Sequence, residues 1–176
     1  IDMTQLLALL CFLAVFHSAS AAAPKCYKGK LVALHRYFNP ARKDHLYDVD
    51  STQRAKLLKQ GWQGEGVAAY LAENSPALAQ CPGLTPLFRN FCKNDKDHIY
   101  TTNYNEFNDS CVREGIVGYC SSKPQCGATL PLFRFYSPAY KDHIYTTNPT
   151  DKKQLLKDGN RDEGIACYVW PHAECQ

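Results

Sequence analysis

Asp142-His143-Ile144-Tyr145-Thr146-Thr147-Asn148 decides the reading of this chain, because it occurs three times. Asp97-His98-Ile99-Tyr100-Thr101-Thr102-Asn103 repeats it, and Asp44-His45-Leu46-Tyr47 is a shorter version with Asp48-Val49 in place of Thr-Thr. An aromatic segment precedes each copy: Leu34-His35-Arg36-Tyr37-Phe38, Leu87-Phe88-Arg89-Asn90-Phe91 and Leu132-Phe133-Arg134-Phe135-Tyr136. A third segment follows: Glu65-Gly66-Val67-Ala68-Ala69-Tyr70, Glu114-Gly115-Ile116-Val117-Gly118-Tyr119 and Glu163-Gly164-Ile165-Ala166-Cys167-Tyr168. The leading Leu stands 11 residues before the His in every copy, and the His-to-His spacings are 53 and 45. Recurrence at such spacing marks tandem structural repeats.

Each copy has the same local grammar. The aromatic opening segment and the alternating Asp-His-x-Tyr segment predict two strands, and the Glu-Gly segment a third. Asp50, Asn103 and Asn148 are N-cap candidates, with Gln53, Glu106 and Asp151 three residues on, as in a capping box. Pro149 suits a first helical position, and Gly61 and Gly159 suit the residue after a helix. Leu57-Leu58 and Leu155-Leu156 are expected to face the core, while copy two is shorter and has room for one turn. Asn90 and Cys92 are expected to interrupt the opening strand of copy two. The fold class is therefore mainly β with short helices, in one pseudo-threefold domain. A β-trefoil-like barrel is favoured, since three copies can close one. A small propeller-like arrangement is the alternative.

Residues 1–21 stand apart. Leu6 to Phe16 is an apolar run with Ala19-Ser20-Ala21 after it, too short to span a bilayer and suited to a cleaved secretion signal. The expected organisation is a signal over 1–21 and a single domain over 22–176, its repeats at about 32–80, 85–125 and 130–175. Without the signal, Cys11 is lost and eight cysteines remain: Cys26, Cys81, Cys92, Cys111, Cys120, Cys126, Cys167 and Cys175. An even count in a secreted chain implies disulfides. Cys26–Cys81 and Cys126–Cys175 would each clasp one repeat, with Cys92 bonded to Cys111 or Cys120. Asn108-Asp109-Ser110 is a glycosylation sequon, which would make a glycoprotein. The remaining charge, 20 basic against 16 acidic residues, is mild and scattered. No nucleic-acid partner and no membrane span is expected.

The three-part pattern resembles a family of secreted repeats of unknown function that usually occur as three tandem copies. Such repeats stand alone or are appended to extracellular peptidases and glycoside hydrolases, and the resemblance covers about residues 32–171. It implies a binding accessory in place of a catalyst.

The recurring polar set is the candidate site: Arg36, Asp44, His45, Tyr47 and Glu65; Arg89, Asp97, His98, Tyr100 and Glu114; Arg134, Asp142, His143, Tyr145 and Glu163. Asp and Arg can hydrogen-bond a hydroxyl-rich ligand, and Tyr can stack on it. On that reading the protein is a lectin-like, non-catalytic module for extracellular glycans or glycoproteins, gaining from multivalency. On the rival reading the motif is scaffold in a structural or defensive extracellular protein, such as a matrix, mucus, egg-fluid or adhesive component. Three histidines could also meet and bind zinc, but no His-x-x-x-His spacing supports it, and neither a metal nor a cofactor is expected. No nucleophile elbow, His-Glu-x-x-His or phosphate loop occurs, so no enzyme is expected.

Overall fold

The structure is a computed structural model and describes residues 26–73, 81–107 and 110–174. The signal segment, Asn108 and Cys175 lie outside the described residues. Among the described residues nine strands are joined by turns and short helices. The first third holds β1 (Leu31–Asn39), β2 (Asp44–Asp48), a 3₁₀ turn (Ser51–Gln53), α1 (Arg54–Lys59) and β3 (Gln63–Ala72). The second holds β4 (Leu84–Cys92), β5 (Asp97–Thr101) and β6 (Cys111–Ser121). The last holds β7 (Leu130–Ser137), β8 (Asp142–Thr146), α2 (Pro149–Lys157) and β9 (Arg161–Val169).

Each third is a three-stranded antiparallel unit with the opening strand in the middle. β1 pairs with β2 and β3, β4 with β5 and β6, and β7 with β8 and β9. The registers correspond: Arg36 faces Tyr47, Arg89 faces Tyr100 and Arg134 faces Tyr145. Leu34, Leu87 and Leu132, each at 1% exposure or less, enter one central core with Tyr47, Tyr100, Tyr145, Leu71 and Val169. At full burial each Leu contributes roughly 2 kcal/mol of apolar transfer.

Between units, the ladders shrink to single residue pairs. β3 meets β6 at Ala72–Tyr119, β6 meets β9 at Ser121–Tyr168, and β3 meets the end of β9 through a Tyr70–Trp170 bridge. The sheet is therefore open, and no closed barrel of the trefoil type forms. The physical reason is strand number and edge chemistry: each unit has three strands, and β2, β5 and β8 are edges. Side chains, described below, satisfy those edges in place of a further strand.

Other expectations also need correction. β4 runs unbroken through Asn90, which is 4% exposed, to Cys92. Leu57 turns inward, but Leu58 and Leu156 are each 46% exposed, because adjacent helical residues lie about 100° apart and only one can face the core. Gly61 and Gly159 do end the helices, at φ 86° and 82°. No helix follows β5 among the described residues.

Three disulfides join described residues: Cys81–Cys126, Cys92–Cys111 and Cys120–Cys167. The first excludes both expected clasps. Leu84 at the start of β4 pairs with Ser121 at the end of β6, so an antiparallel unit brings its two ends together. Cys81 and Cys126 flank the second unit and meet there. Closing a loop across their separation of 45 residues contributes about 4 kcal/mol in the chain-entropy model. Cys120–Cys167 ties the second unit to the third. Three disulfides in a β-rich fold fit an extracellular protein, and no helix among the described residues is long and apolar enough to cross a membrane.

Candidate functional site

The Asp-His-x-Tyr motif lies where the units meet. Its tyrosines form a closed ring. The Tyr100 hydroxyl accepts from the main-chain N–H of Tyr47 at 2.7 Å and donates to the Tyr47 carbonyl at 2.7 Å. Tyr145 does the same to Tyr100, and Tyr47 to Tyr145, all at 2.7–2.8 Å. One phenol thus substitutes for the strand that would otherwise pair with the edge. The rings meet edge to face, with centroids 5.3–5.5 Å apart. All three are 1% exposed, so no ring face is open to solvent.

A second ring surrounds the first. The Asp142 carboxylate accepts from the His45 main-chain N–H at 2.9 Å and from its Nδ1 at 2.6 Å. Asp44 grips His98 in the same way, and Asp97 grips His143. The Nε2 of each His then faces the Glu of its own unit, at 3.6 Å for Glu65, 3.7 Å for Glu114 and 3.2 Å for Glu163. Both ring nitrogens of each histidine therefore face carboxylates, and the three imidazoles form no zinc-ligand set. Carboxylate oxygens of Asp44, Asp97 and Asp142 come within 4.8 Å of one another, each carboxylate already engaged by a histidine.

A third ring is built from arginines. Arg36, Arg89 and Arg134 each pair with the Glu of their own unit at 2.8–2.9 Å. Each also reaches a carboxylate of the preceding unit: Asp151 at 3.5 Å, Asp48 at 2.8 Å and Glu106 at 2.6 Å. The Glu is aimed by its successor. Gly66, Gly115 and Gly164 have φ of 98°, 135° and 89°, a left-handed backbone beside register shifts in each opening strand.

Burial sets the electrostatics. It holds the phenols of Tyr47, Tyr100 and Tyr145 well above their ordinary pKa, outweighing the arginine beside each. Burial also raises the Asp142 carboxyl, against the pull of its hydrogen bonds from His45, and the neighbouring Asp97 adds to the rise. Among the described residues no buried side-chain nitrogen or oxygen lacks a partner.

Outside these rings, each boundary carries a polar cleft. Between the second and third units the cleft is about 200 Å³, with Arg134 and Glu163 on one side and Thr102, Asn103 and Glu106 on the other. Between the third and first, Arg36 and Glu65 face Thr147, Asn148 and Asp151 across about 290 Å³. Between the first and second, Arg89 and Glu114 face Asp48 and Gln53 in a cleft of about 440 Å³ that extends to Trp62. Of the sequence candidates, the Arg and Glu of every unit line a cleft, His98 borders the largest, and the Asp and Tyr point inward.

The carboxylates that complete the arginine ring had a visible signal that points elsewhere. Glu106 and Asp151 stand at the capping-box position, yet they accept from Thr101 and Thr146 hydroxyls and take the arginines. The caps themselves are made by Asp50 and Asn148, which accept from the N–H of Thr52 and Thr150. In the first unit the two roles exchange positions. Asp48 stands where the others have Thr and takes Arg89, while the neutral Gln53 stands where the others have an acid and bonds Asp50 at 3.3 Å.

Fold and site together define a disulfide-stapled, mainly β protein whose recurring motif locks three units of one sheet to one another and leaves polar clefts outside the locks. The chain belongs to the family described as Domain of unknown function (DUF5648), whose model matches residues 33–170. No curated protein and no solved structure matches it.

Proposed function

We propose that this is a secreted, non-catalytic, lectin-like module that binds extracellular glycans in the clefts between its units. On this reading the units are three copies arranged about a pseudo-threefold axis, like the blades of a small propeller. The observation that carries the proposal is the recurrence of one cleft, an Arg–Glu pair facing hydroxyl, amide or carboxylate groups, at every boundary. Sugar hydroxyls both donate and accept, and such a mixed lining meets both needs. Three equivalent weak sites would raise avidity on a multivalent surface. The hydrolase-appended repeats that the sequence resembles favour a binding role as well.

The rival reading, a structural or defensive extracellular protein, draws support from the inward pairing of every Asp, His and Tyr of the motif. The two are separated by a glycan array probed with wild type and with the Thr102→Arg and Val67→Arg variants, at residues that line the clefts. Binding that falls in the folded variants supports the lectin reading. An array blank with the wild type removes it.

A further inference from the structure

The three clefts are alike in plan but not in form. Between the third and first units, Arg36 reaches across to Asp151. That ion pair is a bar, and a second pocket of about 200 Å³ lies on its far side, lined by His45, Ile144, Gln154 and Leu155. Both pockets share Arg36 and Asp151 as their common wall. Between the first and second units the equivalent bar is missing. Gln53 occupies the place of Asp151 but turns to Asp50, and Arg89 is drawn back to Asp48 at 2.8 Å. The counterparts of both pockets, Asp48 and Glu114 on one side and His98, Leu46 and Leu57 on the other, then line one cleft. The exchange of Asp48 and Gln53 is what joins them.

This cleft also differs in charge. Its charged groups are Asp48, Asp50, Glu114, Arg89, Arg42, Lys56 and His98. Arg89 pairs with both Asp48 and Glu114, a trio left with one negative charge like the Arg and two acids of each other cleft, and the Asp50 carboxylate is engaged in capping the turn before α1. His98 lies between Asp44 and Glu114. Arg42 and Lys56 remain: among the described residues neither has a carboxylate within 4.0 Å, and the Arg42 guanidinium lies over the Trp62 ring at 5.8 Å. Gln154 stands at the position of Lys56 in the third unit, and Tyr140 at that of Arg42.

We infer that the first boundary holds the principal site of the protein, an extended cleft for an acidic oligosaccharide whose carboxylate or sulfate is held by Arg42 and Lys56. The inference rests on the lectin reading of the clefts. Trp62 closes one end of the site and the Asp48–Arg89–Glu114 group forms its polar wall.

The experiment is calorimetric titration with a sulfated disaccharide, a uronic-acid disaccharide and their neutral parents, so that either anion source is read separately. Wild type should prefer an acidic probe by at least about tenfold, the worth of one good charge-assisted contact, and the preference should weaken with salt. Arg42→Tyr and Lys56→Gln, the residues of the third unit, should abolish the preference, so that acidic and neutral probes bind each variant equally. Asp48→Thr combined with Gln53→Asp should rebuild the bar and lower acidic binding about tenfold while the melting temperature stays within about 3 °C. Neutral binding without acidic preference, or a preference that survives these variants, overturns the inference and leaves the lectin reading standing. No binding of any probe overturns both.

Discussion

The inner and outer halves of each boundary are made from the same repeated residues and behave in opposite ways. Inside, Tyr47, Tyr100 and Tyr145 use both functions of each hydroxyl on the neighbouring main chain, and Asp44, Asp97 and Asp142 use both carboxylate oxygens. Nothing varies there among the three units. Outside, the Arg–Glu pair is constant but its opposing carboxylate moves from Asp151 and Glu106 to Asp48. A group that is buried and shared between two chain segments tolerates no substitution, whereas a half-exposed ion pair needs only one acid within reach. Uniformity inside and variation outside are what separate a lock from a site.

The comparison can be broken first at Asp97. Asp97→Ala removes both bonds to His143, one from its main-chain N–H and one from Nδ1, and leaves these part-buried donors without their carboxylate, so it should cost about 3–5 kcal/mol. Chemical denaturation under oxidising conditions measures this, and a loss below about 1 kcal/mol would count against the lock. Tyr100→Phe should cost about 2–4 kcal/mol, because it deletes one oxygen and orphans the N–H and C=O of Tyr47.

Alkali tests the same ring without mutation. The three phenols are raised by burial above their ordinary value of 10.0. The unfolded chain therefore releases protons first, and the stability present below pH 10.0 is lost as pH rises beyond it. Each phenol should withdraw about 1 kcal/mol between pH 10 and 11. Unfolding curves across that interval check the slope, to which the buried Tyr27 and Tyr37 also contribute and which Tyr100→Phe should lower by about 1 kcal/mol over the unit. At the other end of the scale, Leu156→Gln on the exposed side of α2 should change stability by less than about 0.5 kcal/mol. A large loss in its thermal melt would show that α2 is buried against something.

Much of the fold was legible in the sequence. Period-2 alternation marks β2, β5 and β8, since Asp-His-Ile-Tyr can present one face inward only as a strand, and aromatic content marks the opening strands β1, β4 and β7. Pro149, Asn148 and Gly159 marked the ends of α2 through properties of single residues. The site was half legible. Asp, His, Tyr, Arg and Glu were singled out together, but a hydrogen-bonding residue suits a ligand and a neighbouring unit equally well. Glu106 and Asp151 were read as capping acids because the spacing to Asn103 and Asn148 is right for that role. Cys81 was assigned to the first unit because it lies between two.

The sequence alone determined the units: their number, their strands and the residues that recur. These are local, written in spacing and side-chain type. Only the tertiary structure decided that the sheet stays open, that Cys81 meets Cys126, and that each Asp grips the His of another unit. Those facts depend on which edges face each other, and a repeat carries the same residues whichever neighbour it meets. The structure also gave Asp48 and Gln53 their meaning. In the chain they are two departures from a pattern five residues apart, and in the fold they are one exchange that opens a cleft.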